Sequence, residues 1–330
     1  MPSVRPWSVG LIVLAAGLLG SARSQPERAY AHARSNPERA YVHARSQPER
    51  AYVQQPTFRT RADVVAVDVS VRDGSRVLTN LTAADFEVLD NDVPQQVTDV
   101  SFGKVPIDVT ILLDVSQSVT GPTLERLRRG VLQLMRDLNK DDRLKLMTFN
   151  MRVSRIVDFT PDPAAVERAL KVALSGGGSS VWDAVAVALV SASEPNRRQL
   201  VVLFSDAADT SSTLDSDTLV SVAQRTTASF SAVVAAVGVV GPRAIATMIQ
   251  SPGSSVLRQL AVETGGGVFP IGTANPDLTT AFRRAVDQFR SSYVLHFTPT
   301  GVERTGFHTL KVAVKGKPKA TITARRGYFW

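Results

Sequence analysis

The middle of the chain alternates short apolar runs with segments of helical periodicity. Residues 107–113 are apolar and rich in β-branched side chains, which is typical of a strand buried on both faces. Residues 122–138 place their apolar side chains at helical spacing. Similar patterns predict strands at 143–149, 153–159, 200–204, 230–240 and 267–270, and helices at 163–174, 181–192, 217–227, 256–264 and 278–290. This order predicts an α/β fold with a doubly wound, mainly parallel sheet, in which 153–159 is an antiparallel edge strand.

Both flanks of this region show a period of two. Val65, Val67, Val69 and Val71 alternate with smaller or polar residues, and further strands are predicted at 86–89 and 97–102. The carboxyl-terminal flank has three such strands, at 292–297, 309–314 and 320–324. Neither group is large enough to bury a core alone. The N- and C-terminal strands are therefore expected to pair into one accessory β-sandwich module.

The first 22 residues have the pattern of an export signal. Arg5 gives a positive start, residues 7–20 form a short apolar run, and small residues follow at 20–22. The run is shorter than the roughly 20 residues that span a bilayer, so no stable membrane span is expected after cleavage. An uncleaved anchor is the alternative. Either way, we expect an exported protein in the periplasm, at the cell surface or secreted.

Residues 23–56 are dominated by three near-identical copies of an eleven-residue unit, beginning at Ala22, Ala33 and Ala44. Each copy contains a proline and little apolar surface beyond alanine and tyrosine, so a packed core is not expected. We interpret this segment as a flexible basic linker. A polybasic tether to anionic lipid or cell-wall polymer is the alternative.

Composition narrows the classes of function. Hydrophobic residues make up 44% of the 330 residues, which is enough for a folded core, and there is no cysteine for disulfides or thiolate metal sites. The net charge is +8, but residues 1–62 hold nine Arg and three Glu and so carry most of it. A basic face on the folded part is not indicated, and no nucleic-acid partner is expected.

The best candidate for chemistry is the turn between the first buried strand and the first helix of the central region. Asp114, Ser116 and Ser118 place one carboxylate and two hydroxyls on this turn. In α/β sheets, ligands bind at the carboxyl ends of the strands, where this turn is predicted to lie. Two of the three donors are neutral, so a divalent cation bound there would keep positive charge for an outside carboxylate.

Two further segments extend the pattern. Gly177 and Gly178 precede Ser179 at the start of a predicted helix, and the strand ending at 204 continues into Ser205-Asp206-Ala207. Together the three segments, spread over about residues 105–290, resemble the metal-ion-dependent adhesion site of the von Willebrand factor A-type (VWFA) domain. Ser179 stands where that family has threonine. Ala207 replaces its glycine, so a positive φ there would strain the backbone.

The resemblance implies a VWFA, Rossmann-like domain at 105–291, between an N-terminal β module at 57–104 and C-terminal strands at 292–330. A similar β module precedes the domain in a group of exported bacterial proteins. The resemblance also implies Mg²⁺ or Mn²⁺ as the cofactor. Its expected ligands are Asp114, Ser116, Ser118 and Ser179, with Asp206 acting directly or through water. An Asp or Glu carboxylate of a protein partner would complete the shell, as in an adhesion-type binding module.

Two other hypotheses stay open. One is an envelope scaffold or assembly protein with a degenerate, metal-independent A domain. The other is a metal-assisted hydrolase, for which Asp209 is the one candidate base. No enzyme is expected, because all four His, at 32, 43, 296 and 308, lie outside the α/β region and nucleophile-elbow and phosphate-loop motifs are absent from the sequence. Residues 209–212 are interpreted as a solvated loop in preference to a rim of the site.

Overall fold

The computed structural model describes residues 64–119, 121–172, 175–191, 193–194, 196–235, 250–272 and 278–330. The signal peptide expected at 1–22, the repeats at 23–56 and the first residues of the N-terminal module, 57–63, lie outside the described residues. So does the end of the strand predicted at 230–240, beyond residue 235.

The strands are β1 Val65–Asp73, β2 Arg76–Val77, β3 Phe86–Asp90, β4 Val93–Gln95, β5 Val97–Phe102, β6 Ile107–Asp114, β7 Arg143–Phe149, β8 Val153–Thr160, β9 Arg198–Ser205, β10 Ser229–Ala235, β11 Val268–Ile271, β12 Tyr293–Phe297, β13 Phe307–Val314, β14 Thr321–Ala324 and β15 Gly327–Phe329. The α-helices are α1 Pro122–Asp137, α2 Pro163–Val172, α3 Val181–Val190, α4 Ser216–Arg225, α5 Pro252–Thr264 and α6 Leu278–Arg290. Among these described helices, none has the length and apolar character that a membrane crossing requires.

The central sheet has six strands in the order β11-β10-β9-β6-β7-β8. Neighbouring strands are parallel except for the edge strand β8, which is antiparallel to β7 as the sequence predicts. From β6 the chain runs outward to β7 and β8 and then returns to β9 on the opposite side of β6. This reversal opens a crevice at the carboxyl ends of β6 and β9, the position where open α/β sheets bind ligands.

Helices cover both faces of this sheet. The first core cluster joins α1, α2 and α6 to one face, and the second joins α3, α4 and α5 to the other. All eight residues of β6 are buried, including the polar Asp108, Thr110 and Asp114, as expected for a strand covered on both faces. Burial on both faces fixes β6 in the middle of the molecule, and with it the carboxylate that ends the strand.

Two smaller sheets combine strands from both ends of the described chain. One has the order β14-β1-β12-β5, with β2 beside β1, and the other has the order β15-β13-β3-β4. N-terminal strands thus pair with C-terminal ones, β1 with β12 and β3 with β13. A single hydrophobic cluster, which includes Val69, Phe86, Phe297 and Leu310, contains residues of both sheets.

The smaller sheets meet the central sheet at its amino edge. Arg198, the first residue of β9, donates from Nε to Asp68 of β1 over 2.6 Å and from Nη2 to the Phe289 carbonyl and the Ser292 hydroxyl. Arg325 donates to the carbonyl of Thr226 at the end of α4. These contacts lie at the opposite end of β9 from the crevice.

Candidate metal centre

The turn after β6 folds back on its own carboxylate. Asp114 ends the strand with no exposed surface, and its Oδ1 accepts the backbone N–H of Ser116 at 2.9 Å. The hydroxyls of Ser116 and Ser118 lie close together on this turn, with their Oγ atoms 3.1 Å apart. The Val119 N–H closes the turn on the Ser116 carbonyl. The predicted D-x-S-x-S residues therefore form one compact oxygen cluster.

Ser179 reaches this cluster from the loop before α3. Its Oγ donates to Oδ2 of Asp114 at 3.0 Å, although the two residues are 65 positions apart. Backbone bonds hold the loop in place: Gly176 donates to the Val115 carbonyl, and Gln117 donates to the Gly177 carbonyl. Gly176 and Gly177 both have positive φ, a backbone conformation for which glycine is suited. The glycines thus bring the Ser179 hydroxyl beside Asp114.

Ser205 is a site residue that the sequence analysis did not assign. In the sheet Leu113 lies opposite Phe204, so the next residues, Asp114 and Ser205, end neighbouring strands side by side. The Ser205 hydroxyl donates to Oδ2 of Asp114 at 2.8 Å and accepts the N–H of Ala207 at 3.0 Å. The signal for this contact lies in the register of the two strands, which their apolar patterns alone do not give.

Asp206 lies beside the cluster and completes the predicted set. Its Oδ1 accepts the N–H of Ala208 at 3.0 Å, and its side chain is half-buried. Burial is the largest influence on Asp114 and raises the pKa of that carboxyl, and the negative charge of Asp206 raises it further. Hydrogen bonds from Ser116 and Ser205 act in the opposite direction. The negative charge of Asp206 thus acts on the Asp114 carboxyl.

The structure corrects the interpretation of residues 209–212 as a solvated loop. Oδ1 of Asp209 accepts the N–H of Val181 at 2.7 Å and so caps the first turn of α3. Thr210 makes two hydrogen bonds to Ser179. Its Oγ1 accepts the Ser179 N–H, and its own N–H donates to the Ser179 carbonyl. This loop therefore fixes the backbone of Ser179, a predicted metal ligand. The Asp209 carboxylate, the one candidate for a general base, is used as a helix cap.

The donor set fits a hard divalent cation. Mg²⁺ holds oxygen ligands at about 2.1 Å, so neighbouring oxygens of its octahedron are roughly 3.0 Å apart. The Oγ atoms of Ser116 and Ser118 are 3.1 Å apart. The Ser179 Oγ lies 3.0 Å from Oδ2 of Asp114. In the described part of the chain, no three His, Cys, Asp or Glu side chains converge on one point, so a metal here would depend on hydroxyls for half or more of its protein ligands.

A groove of about 460 Å³ runs along one side of the cluster. Its lining includes Trp182, Asp206, Asp209 and Val256. Trp182 is half-buried and packs partly against the second core cluster, so it is both a core residue and part of the groove wall. On the other side of the Gly177 loop, Met151 is 64% exposed. Of the five predicted metal residues, Ser118 is exposed and Asp206 is half-buried beside the groove, so the cluster reaches the surface through these two residues.

Ala207 has a φ of +65°, the strained conformation expected if this turn keeps the backbone of the family pattern. Because a Cβ costs roughly 1 kcal/mol in this region, Ala207→Gly is expected to stabilise the fold by about 0.5–1 kcal/mol in urea denaturation. Ala208→Gly is the matched control, and it should destabilise by about the same amount through the freer unfolded chain. Equal losses from both changes would contradict the strain at Ala207.

The comparisons with known proteins concern this same region. The family model for the von Willebrand factor type A domain matches residues 108–281. Among solved structures, an aerotolerance-related membrane protein from Bacteroides fragilis is similar over 56% of this chain and 98% of its own, with 14% identity and a TM-score of 0.44. BatB from Bacteroides thetaiotaomicron is similar over 55% of this chain and 98% of its own, with 15% identity and a TM-score of 0.43.

The PilB minor pilin from Streptococcus sanguinis is similar over 57% of this chain and 62% of its own, with 14% identity and a TM-score of 0.43. Among proteins with curated descriptions, none matches the sequence. The family model covers more than half of the 330 residues and includes all five predicted metal residues. The chain belongs to the von Willebrand factor type A domain family.

Proposed function

We propose that this protein is an exported module that binds a protein partner through a divalent metal ion. The observation that carries the proposal is the buried Asp114 carboxylate, which is held by hydroxyls and a backbone N–H, all neutral donors. A buried carboxylate without a cationic partner is costly, and a bound cation would offset that cost. The site also lies at the switch point of the sheet, where such folds bind ligands.

Mg²⁺, or Mn²⁺ in its place, is the cation that the proposal assigns to the site. Asp114, Ser116, Ser118 and Ser179 would hold it, with Asp206 bound directly or through water, because oxygen donors and retained waters suit these hard ions. When bound, the metal supplies a centre of positive charge at the surface. If Asp206 binds through water, Asp114 is the one carboxylate that contacts the metal directly, and an Asp or Glu of the partner would complete the shell.

The proposal extends to the organisation of the chain. The export signal at 1–22 would place the folded part in the periplasm, at the surface or outside the cell. The two smaller sheets would form an accessory β-sandwich module, built from 57–104 and 292–330, beside the domain at 105–291. Their common hydrophobic cluster supports this division. The proposed function includes no catalytic step.

Replacing Asp114 with asparagine tests the metal site. The substitution keeps the shape of the side chain and removes its charge, so Mg²⁺ affinity should fall at least about 100-fold in titration calorimetry. Asp215→Asn is the matched control. Asp215 caps α4 on the same side of the domain, and its loss should leave Mg²⁺ binding intact. Thermal melting of both variants checks that they fold. Equal Mg²⁺ binding by Asp114→Asn and the original chain would refute the site.

One observation favours the alternative of a metal-independent scaffold. Ala207 stands where the family has glycine, and Ser179 stands where it has threonine, as expected for a domain that no longer depends on the metal. The two functions differ in their response to chelation. A pull-down from envelope extract, with Mg²⁺ and with EDTA, separates them: partner binding that survives EDTA supports the scaffold, and binding that EDTA abolishes supports the metal-dependent module.

A further inference from the structure

The eleven-residue repeats have the chemistry that the proposed site requires of a ligand. Each repeat contains one glutamate, at positions 27, 38 and 49, within the sequence Pro-Glu-Arg-Ala-Tyr. One arginine follows this glutamate directly, and another precedes it by four residues. Every repeat therefore presents a single carboxylate between two guanidinium groups.

We propose that the repeats of one chain bind the metal site of a second copy of the same chain. This inference rests on the proposed function, because it identifies the carboxylate that completes the metal shell as the glutamate of a repeat. It goes beyond that function by naming the partner: the protein assembles with itself, with the N-terminal segment of one copy on the metal face of the next.

The charge around the site is complementary to the repeats. Residues 206–217 contain four Asp and no Lys or Arg, and Asp183 lies against this loop, accepting the N–H groups of Thr213 and Leu214. Arg152 is the one basic residue in the turns after β6 and β7, the Gly177 loop and the loop after β9. A metal would neutralise Asp114 and Asp206 and leave the surrounding carboxylates charged. This surface attracts a ligand that carries one carboxylate among positive groups.

The groove beside the metal residues suits the arginine that follows each glutamate. The Trp182 ring, Asp206 and Asp209 all line it. A guanidinium can stack on an indole ring while it interacts with a carboxylate, and Arg is the cation that most often does so. A repeat that binds the metal through its glutamate would place a neighbouring arginine beside this groove.

The first described strand and the predicted metal residues lie at opposite edges of the central sheet. The first described strand, β1, meets β9 at Arg198, at the amino edge of the central sheet, and the metal residues lie at the other end of β9, at Ser205. An eight-residue strand separates these edges by about 26 Å. In the proposed arrangement, the segment that precedes β1 in one copy would bind the metal edge of a following copy. Such a head-to-tail contact leaves a free site at one end and extends the assembly.

Repetition strengthens this arrangement. A single carboxylate on a metal is a weak contact, and three equivalent glutamates on one segment raise the chance that one is bound at any moment. The spacing of eleven residues also lets one segment engage more than one neighbour. Each chain would thus offer three ligand glutamates for one metal site, a ratio that allows one copy to bind several others.

Sedimentation of the purified chain, with Mg²⁺ and with EDTA, tests the proposal. We expect the average mass to rise with protein concentration in Mg²⁺ and to fall to that of a monomer in EDTA. The combined substitution Glu27→Gln, Glu38→Gln and Glu49→Gln removes only the three carboxylates and should weaken association at least about tenfold. The matched control, Ser24→Ala, Ser35→Ala and Ser46→Ala, changes the same repeats and should associate like the original. Added salt should weaken the association.

A competing peptide of residues 22–32 gives an independent result. It should dissociate the assembly in Mg²⁺, whereas the same peptide with Glu27→Gln should not. Unchanged association of the triple glutamine variant, or a monomer at every concentration in Mg²⁺, would overturn the proposal. A monomer whose own repeat blocks the peptide would also overturn it, in favour of binding within one chain.

Calorimetry on the same samples keeps the two proposals distinguishable. If Mg²⁺ binds with an affinity that depends on Asp114 but the chain stays monomeric, the self-association is refuted and the metal-dependent module stands. If Mg²⁺ does not bind at all, the proposed function itself fails.

Discussion

Replacing Arg198 with methionine is expected to destabilise the protein by about 3 kcal/mol at neutral pH, because it leaves a mostly buried carboxylate without its partner. The Arg198 side chain is 6% exposed and that of Asp68 is 22% exposed. Arg198 also donates to the Phe289 carbonyl and the Ser292 hydroxyl, and its guanidinium lies 4.1 Å from the centre of the Phe289 ring. One substitution therefore removes the contacts that join β1, β9 and the end of α6.

The loss should depend on pH. Burial raises the pKa of Asp68 in the folded protein, and Arg198 opposes this shift through its charge and hydrogen bond. Without Arg198 the pKa rises further. A carboxyl whose folded pKa is raised costs stability when the pH is above that pKa, and the cost disappears as the pH falls below it. The difference between variant and original should therefore be smaller in mildly acidic buffer than at neutral pH.

Urea denaturation at the two pH values measures both effects. Arg155→Met is the matched control, because Arg155 is 62% exposed and lies 2.9 Å from Asp158, which is 59% exposed, in a surface ion pair. Its loss should change stability by less than about 1 kcal/mol at either pH. A small, pH-independent effect of Arg198→Met would mean that Asp68 is well solvated, and the junction between the smaller sheets and the central sheet would then depend on apolar contacts.

The long, periodic elements could be predicted from sequence. The strand β6 follows from its mostly apolar, β-branched run, and the bounds of α6, Leu278–Arg290, are those predicted. Its apolar residues recur at helical spacing along the whole helix, so the pattern indicates where the helix begins and ends. The grouping of Asp114, Ser179 and Asp206 could also be predicted from the sequence. Each of these residues follows or precedes an element whose end must lie at the same edge of the sheet.

Short elements and helix caps were harder to predict from the sequence. The helix α5 begins at Pro252, four residues before the predicted start, because Ser251 caps it through the Ser254 N–H and a proline in the first turn needs no donor. The strand β15 has three residues, too few for a period of two to be visible. In both places a local hydrogen bond or a tertiary partner decides the structure, and the apolar pattern does not contain that information.

Contacts between distant residues were not predicted. The bond from Ser205 to Asp114 depends on strand register, and the cap from Asp209 to Val181 joins residues 28 positions apart. Arg198 and Asp68 are separated by 130 positions. Polar residues carry no periodic signal that identifies their partners, so the sequence identifies the residues of the site more readily than the residues that position them.

One positioning residue of this kind is Gly253, whose change should weaken both the fold and the metal site. Gly253 lies in the first turn of α5, and a Cβ built there would overlap the carbonyl oxygen of Ala207. That carbonyl belongs to the turn Ser205-Asp206-Ala207. The turn has little freedom to move, because the Ala207 N–H donates to Ser205 and the Ser205 hydroxyl donates to Asp114. The close approach of α5 to this turn requires a residue without a side chain.

Gly253→Ala is therefore expected to destabilise the protein by about 2–3 kcal/mol, the range for overpacking against a fixed backbone. Because the displaced turn carries Asp206, Mg²⁺ affinity should fall about tenfold at the same time. Ser255→Ala is the matched control, an exposed change in the same helix that should leave both quantities nearly unaltered. Urea denaturation and Mg²⁺ calorimetry of the two variants provide the comparison. A loss of stability with unchanged Mg²⁺ affinity would show that α5 supports the fold without positioning Asp206, and would limit the proposed metal ligands to the β6 turn and Ser179.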